Sequence, residues 1–210
     1  MRARIFLADD HSLLLDAFSK LLEREYDIVG TATDGRMMLK MVSKLAPDLV
    51  LLDINMPNLN GFDAGEKLKK ILPDVKLVFL TVNEDPDMVT EAFRIGASGY
   101  LLKSSAASEL FQAIDAVLNS KTYVSPKIAE SMTDAFIKNP LAHKVHGNLS
   151  LRQREVLQLL AEGNTMKQVA AVLNITPRTV AFHKYQIMET LDVKTNSELI
   201  QYAVKHGFVS

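Results

Sequence analysis

The chain has 210 residues, room for two small domains, and its 48% hydrophobic and 23% charged residues are the balance of a folded globular protein, while the lack of any cysteine excludes disulfides, thiolate nucleophiles and cysteine-bound metals. No apolar run reaches the length of a bilayer span, and the start of the chain lacks the apolar stretch and cleavage site of a secretory signal, so a cytoplasmic protein without a membrane partner is expected. The net charge of −1 is unevenly spread, at −4 over residues 1–122 and +2 over 148–210, which points to different partners for the two halves.

Short Val/Ile/Leu-rich runs at Ile5–Ala8, Ile28–Ala32, Leu49–Leu52, Leu77–Val82 and Tyr100–Leu102 read as buried parallel strands. Between them lie amphipathic stretches. Leu14, Ala17, Phe18, Leu21 and Leu22 fall on one helical face, and Leu110, Ala113, Ile114 and Val117 on another. Strands alternating with helices imply right-handed crossovers and a five-stranded, doubly wound parallel sheet of the flavodoxin-like α/β kind. In such sheets ligands bind beyond the carboxyl ends of the strands.

Asp9 and Asp10 follow the first run, Asp53 ends the third, Thr81 ends the fourth and Lys103 follows the fifth. A parallel sheet brings all five to one edge. Crowded carboxylates favour a hard divalent cation such as Mg²⁺. A carboxylate there can act as nucleophile towards a phosphoryl group, with Lys103 and the Thr81 hydroxyl holding phosphoryl oxygens. Each of these residues alone would be an ordinary turn, cap or surface residue. Their joint placement at four strand ends carries the chemistry.

The rhythm breaks over 122–147, a linker containing a possible short helix near Ile128–Ile137. Beyond Ser150 the period is helical, with helices expected near 151–162, 165–173, 177–191 and 195–206. Thr176-Pro177 reads as an N-cap followed by proline at the first helical position. The turn from Leu173 to Thr176 makes a helix-turn-helix within a small all-α domain. With Val180, Ile187 and Leu191 buried, the third helix presents Arg178, Ala181, Phe182, Tyr185 and Glu189 outward. Exposed aromatic rings suit a helix that enters a DNA major groove, or one covered by another protein surface. Arg152, Lys167, Thr179, His183, Lys184 and Lys194 are candidate phosphate contacts. The acidic front half is a candidate for docking over Phe182 and Tyr185.

The segments LADDHS, LVLLDINMPNLNG, FLTVNED and GASGYLLKSS resemble the receiver domain of two-component response regulators over residues 3–120. The run from Leu149 to Leu199 resembles the LuxR-type helix-turn-helix that ends NarL/FixJ-type regulators. These resemblances imply a receiver domain at 1–121 and a DNA-binding domain at 148–210. They imply Asp53 as phosphoacceptor, and Mg²⁺ held by Asp9, Asp10, Asp53 and the main-chain carbonyl of Asn55. Thr81 and Lys103 would contact the phosphoryl group, and Tyr100 would be the aromatic switch. Arg178, Thr179, Ala181, Phe182, His183, Lys184 and Tyr185 would read or hold double-stranded DNA. A sensor histidine kinase would be the donor, and the phosphorylated form a homodimer controlling transcription. Ser104 stands where many receivers carry a cis proline; a non-proline cis bond costs about 3 kcal/mol.

The alternative from another class is a phosphohydrolase of the haloacid dehalogenase type, which also uses Asp, Thr, Lys and Mg²⁺. Its nucleophile belongs on the first strand in a DxD pattern. Here Asp9 and Asp10 are adjacent and the candidate acceptor lies on the third strand, so a phosphate acceptor rather than a turnover enzyme is expected.

Overall fold

The computed structural model describes residues 2–82, 84–105, 107–138 and 149–209. Its strands are β1 (Arg4–Ala8), β2 (Asp27–Ala32), β3 (Leu49–Asp53), β4 (Lys76–Thr81), β5 (Gly99–Leu102) and β6 (Tyr123–Val124). The helices between them are α1 (Ser12–Leu22), α2 (Gly35–Leu45), α3 (Gly61–Ile71), α4 (Pro86–Ile95) and α5 (Ala107–Leu118). All strand pairs are parallel, in the order β2-β1-β3-β4-β5-β6.

The apolar runs lack alternation because both sheet faces are covered. Phe6, Val50, Leu52, Leu77 and Phe79 point into one core with Met38 and Val42 of α2, Leu68 of α3 and Val89 of α4. Ile5, Leu7, Leu49, Leu51, Val78 and Leu80 point into the other, against Leu15 and Leu22 of α1 and Leu110 and Ile114 of α5. Strand order turns back at β1, whose neighbours are β2 and β3, and opens a crevice at the strands' carboxyl ends.

The sheet has six strands, not the five expected. β6 pairs Tyr123 with Gly99 and Val124 with Tyr100. Two residues alone carry no strand pattern of their own, so only the tertiary pairing defines this strand. α6 (Pro126–Lys138) follows and buries Ile128 in the same core as Tyr100 and Phe79. The expected linker is therefore ordered at its start and fastened to the sheet edge. Residues 139–148, which include the Asn139-Pro140 turn, lie outside the described residues.

The second half contains α7 (Leu151–Ala161), α8 (Met166–Leu173), α9 (Pro177–Thr190) and α10 (Asn196–Lys205). All four open on a Ser or Thr cap. Ser150, Thr165 and Thr195 form capping boxes with Gln153, Gln168 and Glu198, and Thr176 accepts from the Thr179 amide ahead of Pro177. Val156, Leu159, Val169, Leu173, Val180, Ile187 and Leu199 form their shared core. No helix among the described residues is long and apolar enough to cross a membrane.

The two halves touch. Arg154 of α7 reaches Asp63 and Glu66 of α3 at 2.7 and 2.6 Å and Glu91 of α4 at 3.5 Å. The contact falls on α7 and on the turn after α10, where Gly207 faces Met88, and not on the rings of α9. Phe182 and Tyr185 remain 58% and 68% exposed, which corrects the expectation that the front half covers them.

One glycine fixes the crevice. Asn60 caps α3 by accepting from the Asp63 amide, and the Gly61 amide donates to the Ile54 carbonyl at 2.8 Å. The helix start is thereby pressed against the end of β3. A Cβ on Gly61 would lie 2.1 Å from the Asp53 carbonyl oxygen and 2.7 Å from the Ile54 Cα, both main-chain atoms that cannot swing aside. Gly61→Ala should lower unfolding free energy by about 2–3 kcal/mol, read as a lower urea midpoint. An unchanged midpoint would mean that this close approach is not kept in solution.

Candidate functional site

The topology delivers five polar residues to one edge. Asp9 leaves β1 with its amide bound to the Ala32 carbonyl, Asp53 ends β3, Thr81 ends β4, and the Lys103 amide donates to the Thr81 carbonyl just beyond β5. Asp9, Asp53 and Thr81 are buried, and Asp10 is exposed at the rim. The Lys103 ammonium lies 2.8 Å from Asp9 Oδ2 and 3.0 Å from Asp53 Oδ2. His11, which the sequence reading passes over, closes the rim: its amide donates to Asp9 Oδ1, and its Nδ1 lies 2.7 Å from Asp10 Oδ1. Its adjacency to the Asp pair was the available signal.

Burial pushes the Asp53 carboxyl up to about 7; Lys103 opposes this and Asp9 adds to it. Burial also works against the Lys103 charge, but Asp53 and Asp9 outweigh it and hold the ammonium above its ordinary range. One ammonium faces three carboxylates, so the site keeps an excess of negative charge. Asp9, Asp10, His11 and Asp53 offer ligand atoms that all lie within 4.8 Å of one another. An oxygen-rich set around an uncompensated charge fits a hard divalent ion. Asn55, expected to offer its main-chain carbonyl, lines the cleft mouth beside Asp10, and its buried Oδ1 has no hydrogen-bond partner. No cis peptide bond is present among the described residues, Lys103–Ser104 included.

Tyr100 lies fully buried behind Thr81, in the core that also holds Val89, Ala92 and Ile128. Burial raises its hydroxyl well above the usual phenol range, and the Thr81 side chain acts on it in the opposite sense. The main chain on either side of the ring is tied to the β6–α6 junction: the Ser125 amide donates to the Tyr100 carbonyl, and the Leu102 amide donates to Ser125 Oγ.

On α9 the buried side is Val180 and Ile187, with Leu191 partly buried beyond them. Arg178, Phe182, Tyr185 and Glu189 are exposed, and Thr179, Ala181, His183 and Lys184 are half-buried. Thr179 is engaged in the helix cap, its hydroxyl 2.9 Å from that of Thr176. The Phe182 ring packs edge-on against His183. Arg152 is committed inside the fold, to Glu155 and the Leu173 carbonyl, which leaves it poorly placed as a phosphate contact. The sequence reading missed Arg154 and Gln158 of α7 and Glu162, which caps its end. Their signal is a polar Gln158 between Leu157 and Leu159 in an apolar run.

The raised Asp53 pKa fixes a sign for the metal-free protein. Between the unfolded value near 4 and the folded value of about 7, the folded state binds more protons, so stability falls as pH rises through that window. Asp53→Asn removes the penalty. In EDTA at pH 8 it should unfold about 2–4 kcal/mol later than the parent, with the difference vanishing near pH 4. A difference that stays constant between pH 4 and pH 8 would contradict this.

A family model described as the response regulator receiver domain matches residues 5–115, and one described as bacterial regulatory proteins of the luxR family matches residues 147–203. The oxygen regulatory protein NreC of Staphylococcus haemolyticus is 33% identical over 96% of this chain and 97% of its own. Response regulator GacA of Pseudomonas aeruginosa is 31% identical over 98% and 97%. Among solved structures, the RcsB response regulator of Salmonella typhimurium superposes with a TM-score of 0.67 at 25% identity, covering 97% of this chain and 98% of its own. A LuxR-family two-component response regulator from an Aurantimonas species gives 0.63 at 31% identity, over 65% and 99%. The chain belongs to the response regulators, as a receiver domain joined to a DNA-binding domain of the luxR family.

Proposed function

We propose that Asp53 is the phosphoacceptor of a transcription regulator and that a partner histidine kinase is the donor. The observation that carries this is the Lys103 ammonium held within 3.0 Å of both Asp9 and Asp53 at the strand ends. A Asp53 carboxylate oxygen attacks phosphorus, the P–N bond to the kinase imidazole breaks, and an aspartyl phosphate forms. Lys103 and the Thr81 hydroxyl hold phosphoryl oxygens. Asp9, Asp10, Asp53 and the Asn55 main-chain carbonyl would hold Mg²⁺, which neutralises developing negative charge. Movement of Thr81 towards the phosphoryl group frees the space that Tyr100 and its neighbours in β6 and α6 repack into. The phosphorylated form is a homodimer on a two-part DNA site.

Arg178, Ala181, Phe182 and Tyr185 form the base-reading face of α9, and Thr179, His183 and Lys184 flank it as backbone contacts. The exposure of Arg178, Phe182 and Tyr185 supports this reading. Slow self-dephosphorylation is the only turnover this scheme needs, in contrast to a phosphohydrolase.

Incubation with acetyl phosphate and Mg²⁺ should add one phosphoryl group by intact mass, and Asp53→Asn or EDTA should abolish it. Full yield in either would refute the assignment. On DNA, Phe182→Ala or Tyr185→Ala should cost about 1–3 kcal/mol on the specific site alone. Lys184→Ala should weaken binding to all sequences alike and lower the salt slope by about 1. Gel-shift titrations on specific and random duplexes would separate the two, and equal losses on both duplexes for the ring variants would remove them from base reading.

A further inference from the structure

The loop from Ile54 to Asn60 joins the candidate acceptor to α3, and α7 of the DNA-binding half is hydrogen-bonded along it. Gln158 is buried within this contact. Its Nε2 donates to the Met56 carbonyl at 2.9 Å, and its Oε1 accepts from the Asn60 amide at 2.9 Å and from Asn60 Nδ2 at 3.2 Å. One turn further on, Glu162 accepts from the Asn58 amide at 3.2 Å and from Gln158 Nε2 at 2.7 Å. Three alternate loop residues are thus held by two side chains of one helix. Ion pairs of opposite sense fix that helix in register: Arg154 sits among Asp63, Glu66 and Glu91, and Glu155 sits between Arg36 and Lys67 at 3.1 and 2.8 Å.

We propose that Gln158 is a positioning residue for phosphorylation of Asp53: through it the DNA-binding half holds the loop after β3 and slows phosphoryl transfer while the halves are docked. This rests on Asp53 being the acceptor. Two features give the direction. The held loop is the one that carries Asn55 at the site mouth, so any shift it makes to admit a phosphoryl group must stretch or break the bonds at Met56, Asn58 and Asn60. The cleft leading to the site is also shared, with Asp10, Asn55 and Met56 on one wall and Glu162, Val204 and Phe208 on the other. A docked helix narrows the approach and places a carboxylate on it, against an anionic donor. Coupling is reciprocal, so a phosphoryl group that displaces the loop must weaken docking by the factor by which docking disfavours it. The device acts from α7 and does not need α9 to be covered.

The test uses the full chain. Gln158→Met keeps length and helix propensity and removes all four of the side chain's hydrogen bonds. Arg154→Gln loosens the same contact away from the loop. Amide hydrogen exchange over 54–61 reports loop release without metal or phosphate. Phosphorylation by acetyl phosphate at fixed Mg²⁺, followed by intact mass, reports the chemistry. Both variants should exchange faster over 54–61 and gain about fivefold or more in phosphorylation rate, and the double variant should gain little beyond either alone. Faster exchange with an unchanged or lower rate overturns the proposal, because the contact would then be neutral or supportive. Unchanged exchange in Gln158→Met overturns it as well, because Gln158 would not be holding the loop. Failure to label Asp53 in the parent chain is a separate result, and would strike the phosphoacceptor reading rather than the role of Gln158.

Discussion

Two buried carboxylates a few ångströms apart cannot both keep their charge without help, and the Lys103 ammonium between Asp9 and Asp53 is what this fold supplies. The requirement reaches far into the architecture. Lys103 arrives only because β5 pairs with β4 in a register that binds its amide to the Thr81 carbonyl. Asp9 arrives because β1 lies beside β3. Asp53 ends β3, where α3 starts at a glycine pressed onto the main chain of the strand end. A single ammonium leaves the site short of positive charge, which suits it to a hard cation.

Between the halves, the charges are nearly all satisfied. Arg154 enters a cluster of three acids while the adjacent Glu155 faces two bases, so one helix turn carries both signs into complementary surroundings. Burial alone would push the Asp63 carboxyl well up, and Arg154 pulls it back to about 6. Removing one partner of such a cluster strands the rest, so the register of docking is sharply specified.

The sheet was legible in the sequence because its strands are buried on both faces and read as unbroken apolar runs, as Leu49–Leu52 does. The four C-terminal helices were legible from their helical period and, at α9, from the Thr176 cap ahead of Pro177; the capping boxes that open the other three were not read. The gathering of Asp9, Asp10, Asp53, Thr81 and Lys103 at one edge followed from strand ends alone, since a parallel sheet must align them, whereas Asn55 and Tyr100 were named only through the family resemblance. β6 was not legible: Tyr123–Val124 is a strand only because the edge of β5 is there to pair with. The place of contact between the halves was not legible either. Exposed rings at Phe182 and Tyr185 drew attention to α9 as the sticky surface, yet the ion pairs and hydrogen bonds of the contact centre on Gln158 and Arg154 of α7. Polar complementarity between segments about a hundred residues apart leaves no periodic trace in a single chain.

The polar character of that contact bears on how it can be reversed. A wide apolar interface would be held by burial that phosphorylation of one carboxylate could not offset. Buried ion pairs and amide hydrogen bonds exchange protein partners for water and come close to balance. A contact near balance is shifted by a bias of a few kcal/mol, the scale of one displaced loop or one added dianion. The same residues that specify where α7 docks therefore also keep the docked state shallow enough to leave. With α9 already facing solvent, release under the proposed scheme would change the freedom of the DNA-binding half to take up a new position relative to the receiver and to a second chain.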